Sequence, residues 1–223
     1  MGAKVQSGLS VRSMTIGIVD YGLGNVASVQ AAFKRLGVRS VLSAEMNTLF
    51  TTDGLVLPGV GAFPAAMEQI HAKGLAPIIY ELVGKKTKPL LGICLGMQIL
   101  AEIGEEYGEC PGLGLIPGRV RKLEPRGDRK IPHVGWSEVQ VLASGRDMFA
   151  RKKNGDAYYF DHGFFFDAPS EFRAATVSWD GEIVAAVARG NIWGAQFHPE
   201  KSQNSGLRLL KAFCLFAGQG AAL

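Results

Sequence analysis

Cysteine is scarce in this chain of 223 residues: Cys94, Cys110 and Cys214 are odd in number and show no metal-ligand spacing. That excludes a disulfide framework and a zinc site, and it fits a reducing cytoplasm. No apolar run approaches the ~20 residues of a membrane span, and the N-terminus lacks the apolar core of a secretory signal, so neither a membrane nor a secreted protein is expected. Low-complexity tracts and internal repeats are also missing. Charge of one sign is not in large excess. The formal net charge is +4, with basic residues bunched at Arg119-Val-Arg-Lys122 and over 126–130. No aromatic residues interleave with these runs, so no nucleic-acid surface is expected; they read as solvated faces, or as a surface for a phosphate-bearing ligand or an acidic partner.

The length is enough to bury a sizeable core, and the apolar and glycine content is that of a globular α/β protein. One domain is expected over 14–223. Residues 1–13 have no periodicity and end before a second methionine, Met14, so they read as an extension or tag. Apolar runs at 15–20, 38–42, 54–57 and 89–93 alternate with helical patterns at 28–36, 64–70, 77–83 and 97–103, which implies parallel strands with crossover helices. From about Pro117 the pattern changes. Short runs rich in Val, Phe, Tyr and Trp, at 119–123, 134–142, 157–166, 173–179, 182–188 and 191–197, are separated by Gly, Asn and Asp turns. Asp180-Gly181 is a hairpin turn signal. The expectation is a mixed, largely parallel central sheet flanked by helices, with antiparallel strands in the C-terminal half and a last helix at 205–216.

Two glycine turns follow early strands. Gly22-Leu-Gly24 is not read as a dinucleotide loop, because no acid ends a second strand at the required distance; a tight turn that lets backbone pass close to a neighbour is preferred. Pro58-Gly-Val-Gly-Ala-Phe63 lies at the carboxyl end of its strand, where ligands of open α/β sheets bind, and its glycines permit a peptide orientation that aims an N–H at an oxyanion.

The chemistry centres on Gly92-Ile-Cys-Leu-Gly96. A buried strand that turns sharply into a helix, with glycine on both sides of the turn, is a nucleophile elbow, and Cys94 is the side chain it leaves exposed above the sheet. The helix N-terminus favours a thiolate there, and the Leu95 N–H faces a developing oxyanion. Alone, a cysteine in an apolar run reads as a small core residue. His198 overturns that reading. It ends the strand 193–197, Pro199 stiffens the turn, and Glu200 accepts the imidazole proton, giving the nucleophile, base and orienting acid of a triad. His162 also ends an aromatic-rich strand, but no Pro-Glu follows it.

Gly92-Ile-Cys-Leu-Gly-Met-Gln98 with Gln196-Phe-His-Pro-Glu-Lys-Ser202 resembles the class I, triad-type glutamine amidotransferases. Asp20-Tyr-Gly-Leu-Gly-Asn25, Pro58-Gly-Val-Gly-Ala-Phe63, Pro111-Gly-Leu-Gly-Leu-Ile-Pro117 and Ile131-Pro-His-Val-Gly-Trp136 are similar to blocks of the glutaminase subunits of imidazole glycerol phosphate synthases in histidine biosynthesis. The resemblance covers most of 14–216. It implies glutamine hydrolysis by Cys94, His198 and Glu200, an oxyanion hole from the Val60 and Leu95 N–H groups, and glutamine contacts from Gly59, Gly61, Gln98, Gly163 and Phe164. It also implies a (β/α)8 cyclase partner in a heterodimer, taking ammonia to make imidazole glycerol phosphate, with no cofactor and no metal. Two departures stand out. Ser137 replaces the usual Asn after Gly-Trp, and Asp161-His-Gly-Phe164 replaces a Val-His-Ser-Tyr-like block. Such departures also suit a paralogous glutaminase serving a different synthase. An inactive regulatory module would be expected to lack a triad residue, and all three are present. A cysteine peptidase would leave the Pro-Gly-Val-Gly loop and Gln98 without a purpose.

Overall fold

In a computed structural model, which describes residues 14–124 and 130–219, the apolar runs become strands, and those at 15–19, 54–57, 90–93 and 192–195 have no exposed position. The expected extension over 1–13 and most of the basic run 126–130 lie outside the described residues. The N-terminal half runs β1 (Thr15–Val19), α1 (Val26–Arg35), β2 (Arg39–Ser43), α2 (Met46–Phe50), β3 (Gly54–Leu57), α3 (Phe63–Ala72), α4 (Leu75–Ile79), β4 (Leu90–Ile93) and α5 (Leu95–Gln98). Helix α4 continues as a π-helical turn over Tyr80–Lys85. β3 and β4 are buried at every position, as expected of parallel strands covered on both faces.

The C-terminal half runs β5 (Ile103–Gly104), β6 (Cys110–Pro111), β7 (Arg119–Lys122), β8 (His133–Val141), β9 (Ala157–His162), β10 (Phe164–Asp167), β11 (Arg173–Ser178), β12 (Glu182–Arg189), β13 (Ile192–Ala195) and α6 (Gln203–Gln219). Nine strands form one mixed sheet in the order β2-β1-β3-β4-β13-β12-β11-β8-β9. Pairing is parallel from β2 to β13 and antiparallel from β13 to β9. A second sheet, β10-β7-β5-β6, packs beside it. One core cluster joins the sheet to α1 and α6 through residues such as Phe33, Phe197 and Phe213, and the other joins it to α3, α4 and the small sheet through Phe63, Ile79 and Phe166. Each such side chain contributes ~1.5–3 kcal/mol on burial. No helix among the described residues is long and apolar enough to cross a membrane.

Two local expectations need correction, and one helix was not expected. The helix expected over 97–103 ends at Gln98. Leu113, Leu115 and Gly114 donate their N–H groups to the carbonyls of Ile99, Leu100 and Ala101, so the returning segment takes the acceptors that further helix would need. The strand expected over 157–166 breaks at Gly163: β9 pairs with β8 in the large sheet, whereas β10 pairs with β7 in the small one. The short α2 carries too few residues for a helical pattern to be legible, and was missed.

Candidate active site

The residue between β4 and α5 is Cys94, at φ 54 and ψ −112. A non-glycine residue held there stores ~1–3 kcal/mol of strain, which the surrounding packing must impose. A Cβ on Gly96 would lie 1.7 Å from the Leu57 carbonyl oxygen, and one on Gly92 would lie 2.6 Å from that of Gly96, so only glycines let the elbow close. The Cys94 N–H is fixed by the Ala195 carbonyl at 2.8 Å. Contrary to expectation, the thiol is not exposed: Cys94 is 7% accessible. The Asp161 carbonyl and the Gln196 amide lie 4.0 and 3.9 Å from Sγ, and the opening is a cavity of about 330 Å³ shared with Val60, Leu95, Gln98, His198 and the 161–164 segment.

His198 reaches this cavity from the turn after β13. Its backbone is held at two points: its N–H donates to the Tyr159 carbonyl at 2.9 Å, and its carbonyl accepts from Ser202 Oγ at 2.6 Å. Nδ1 lies 2.7 Å from Glu200 Oε1, both side chains being buried, which leaves Nε2 for the Cys94 sulfur. Among the described residues, no donor reaches the buried Glu200 Oε2. Burial works against a charged imidazole, but hydrogen bonds to Cys94 and Glu200 and their charges outweigh it, raising the His198 pKa to about 9. The imidazole is therefore protonated at neutral pH, facing the sulfur. Since α5 has only four residues, the macrodipole expected at the elbow is small.

A pH dependence follows from this shift. A group raised from its ordinary 6.5 to about 9 stabilises the fold fully below pH 6.5, and the contribution is lost as pH rises through 9. In Cys94→Ala the larger of the two stabilising partners is gone. The His198 titration midpoint, followed by NMR, is expected to fall, and the loss of stability between pH 6.5 and 9 to shrink. An unchanged midpoint would show that Cys94 and His198 do not interact.

The other histidine at the cavity behaves differently. His162 is brought down to about 4 by burial, which the hydrogen bond to the Phe164 carbonyl offsets only in part and the nearby His133 and His198 reinforce. It is neutral at pH 7, with Nδ1 2.8 Å from the Phe164 carbonyl oxygen and Nε2 3.1 Å from His133 Nδ1. It orders the wall rather than supplying a proton.

Of the residues expected to meet substrate, Val60, Leu95, Gly61, Gln98, Gly163 and Phe164 all line the cavity, but Gly59 does not. Gly59 is wedged beneath the loop, where a Cβ would lie 2.5 Å from Tyr21 Oη and 2.7 Å from the Gly96 nitrogen. Gly61 is open, with φ 102 and nothing within 4 Å of the place a Cβ would take. The Gln98 Nε2 donates to the Phe164 carbonyl at 2.9 Å and to Gln196 Oε1 at 3.0 Å, so both its protons are used within the wall. The Phe164 carbonyl accepts from both Gln98 and His162, and the Gly163 carbonyl accepts from the Leu123 N–H. Sequence reasoning missed Glu106, Lys201 and Gln196. Glu106 lies in a loop with no motif, where Oε2 accepts from the Phe63 N–H at 2.7 Å.

Gly163 replaces a hydroxyl residue of the resembling block, yet it needs no glycine. A Cβ there meets only Ile131 Cγ2, at an ordinary 3.5 Å. Gly163→Ser is therefore expected to leave stability within ~0.5 kcal/mol and the KM for glutamine within about twofold of wild type. A large rise in KM would show that the glycine itself shapes the wall.

Among the described residues, no group of three or more His, Cys, Asp or Glu side chains is placed to hold a metal ion. Residues 17–216 match the family model described as glutamine amidotransferase class-I. The chain is 42% identical over 198 residues to the imidazole glycerol phosphate synthase subunit HisH of Bacillus cereus (strain AH187), covering 89% of this chain and 93% of that protein, and the same figures hold for that of Bacillus anthracis. Among solved structures, one described as a glutamine amidotransferase superposes with TM-score 0.71 at 22% identity, covering 91% of this chain and 98% of that one. A glutamine amidotransferase from Thermotoga maritima gives 0.58 at 20%, covering 90% and 82%. These two share the fold.

Proposed function

The chain belongs to the class I glutamine amidotransferases, and from that premise we propose that Cys94, His198 and Glu200 release ammonia from glutamine for use by a synthase partner in histidine biosynthesis. What carries the reading is one observation: His198, with Nδ1 2.7 Å from Glu200 Oε1, lines the same cavity as the Cys94 thiol and Gln98.

The Cys94 sulfur attacks the carboxamide carbon of glutamine, and the carbonyl oxygen takes up negative charge. As the C–N bond breaks, the imidazolium of His198 gives its Nε2 proton to the nitrogen, ammonia leaves, and a glutamyl thioester remains on Cys94. The neutral imidazole then takes a proton from water, hydroxide adds to the thioester, and glutamate departs as thiolate and imidazolium are restored. Glu200 keeps Nε2 directed at the sulfur throughout. The Leu95 N–H and the Val60 N–H face the oxyanion, each worth ~3 kcal/mol in such sites. The partner is a (β/α)8 cyclase subunit in a heterodimer, which uses the ammonia to make imidazole glycerol phosphate. Exposed Val134 and Trp136 on β8, beside the strand that ends in His162, suit such a contact.

The test is glutamate release by the purified chain, alone and with the cyclase subunit and its ribotide ligand, together with formation of imidazole glycerol phosphate. Glutamate release coupled to product formation is the expected result. A chain that binds the cyclase but releases no glutamate under either condition is a regulatory module, and the proposal fails.

A further inference from the structure

The turn Asp20-Tyr-Gly-Leu-Gly-Asn25 after β1 takes no part in the chemistry above, yet it lies directly on the loop that carries Val60. Tyr21 is fully buried in an otherwise apolar cluster with Leu57 and Leu95. Its hydroxyl donates to the Pro58 carbonyl at 2.5 Å. On the other side, Gly24 backs onto the Pro58 ring: a Cβ there would lie 3.2 Å from both Pro58 Cβ and Cγ. Pro58 is thus held by its carbonyl and by its ring, one residue before the wedged Gly59. Burial, with the charge at Cys94 adding to it, raises the Tyr21 pKa well above the usual phenol range, so the hydroxyl keeps its proton at any working pH.

We infer that Tyr21 is a positioning residue for glutamine hydrolysis: by holding the Pro58 carbonyl it fixes the peptide before Gly59 and confines reorientation of the loop to the next peptide, which carries the Val60 N–H. The physical basis is that a peptide plane moves as a unit. The Pro58 carbonyl and the Gly59 N–H share one plane, and a donor on that oxygen removes its freedom. The Gly59 carbonyl and the Val60 N–H share the next plane, which turns about Gly59 ψ and Val60 φ. Beyond it Gly61, with open space around it, absorbs the compensating change. With the first plane loose, the second has no fixed pivot, and the Val60 N–H spreads over several directions, of which only one serves an oxyanion. The inference rests on the reading above that Cys94 hydrolyses glutamine, with the Val60 N–H facing the oxyanion.

Tyr21→Phe keeps the ring and removes the donor. The expected result, read in the complex with the cyclase subunit and its ribotide ligand, is a kcat for glutamate release lowered ~10-fold or more, since an oxyanion donor that is wholly lost lowers it 10²–10³-fold, with the KM for glutamine within about twofold because ground-state binding does not use that N–H. Alkylation of Cys94 by iodoacetamide should keep its wild-type rate, because displacing iodide from a tetrahedral carbon develops no oxyanion. An unchanged kcat overturns the assignment. So does a kcat that falls in step with the alkylation rate, which would mean a general loss of structure around Cys94. Should Tyr21→Phe not fold alone, by circular dichroism, both rates are read on Tyr21→Leu in the complex with the cyclase subunit, with the same two overturning outcomes. Failure of the underlying reading looks different: Cys94→Ala would then still release glutamate, whatever Tyr21 does.

Discussion

Cys94→Ala is expected to lower glutamate release by ~10⁴-fold or more, because the nucleophile of a triad has no substitute and removing it leaves only what binding and oxyanion contacts supply. In the complex with the cyclase subunit, synthesis driven by added ammonium salt should persist while synthesis driven by glutamine is lost. That split separates a missing nucleophile from a broken protein. The fold should survive, although not because the thiol is free of contacts. Cys94 is nearly enclosed, but alanine removes a single heavy atom beside a cavity that already exists, and the strained backbone is imposed by Gly92, Gly96 and the strands around them. The other two cysteines serve as controls. Burial lifts the Cys214 thiol to about 12, and Cys110 is also raised by burial, so neither offers a reactive thiolate. Alanine at either should keep turnover within about twofold. Full glutaminase activity in Cys94→Ala, or its loss in Cys214→Ala with the fold intact, would sink the assignment.

Turnover of the isolated chain is expected to rise ~100-fold or more when the proposed cyclase partner and its ribotide ligand bind, because in the proposed mechanism the Val60 N–H is the donor whose absence would hold the reaction back by that factor. An ungated glutaminase would release ammonia into water, and the 58–61 loop has the backbone freedom to be the gate. Proline at position 59 would be a poor probe, since even a Cβ there meets the Tyr21 hydroxyl and the Gly96 nitrogen. Gly61 is the better one. Its φ of 102 disfavours any L side chain, while the space around it is empty. Gly61→Ala therefore penalises the resting backbone by ~1–3 kcal/mol without a clash. Basal glutamate release should rise about tenfold, the stimulated rate should stay near that of wild type, and the activation factor should shrink accordingly. Stimulation identical to wild type would place the pivot elsewhere, and an isolated chain already at its maximal rate would mean that there is no gate.

Much of this was legible in the amino-acid order because the constraints are local. The elbow needs glycine on both sides of its cysteine, and Gly92 and Gly96 meet backbone at distances that no side chain allows. The pair His198 and Glu200, two residues apart on one tight turn, reach each other without help from the rest of the chain. Alternation of buried runs and helical patterns in the first half, and of short Val- and aromatic-rich runs in the second, was enough for a mixed sheet, because strand and helix periods are properties of a few consecutive residues. What no local pattern carries is which surfaces cover one another. That Cys94 is enclosed rather than exposed depends on the 161–164 segment crossing between two sheets. That the helix after it stops at Gln98 depends on the 113–115 segment taking its carbonyls. Gln98 and Gln196 touch across 98 positions, and Tyr21 reaches the Pro58 carbonyl across 37. Contacts of that span are settled when the sheet assembles and the remaining polar groups find partners, so only the tertiary structure decided them.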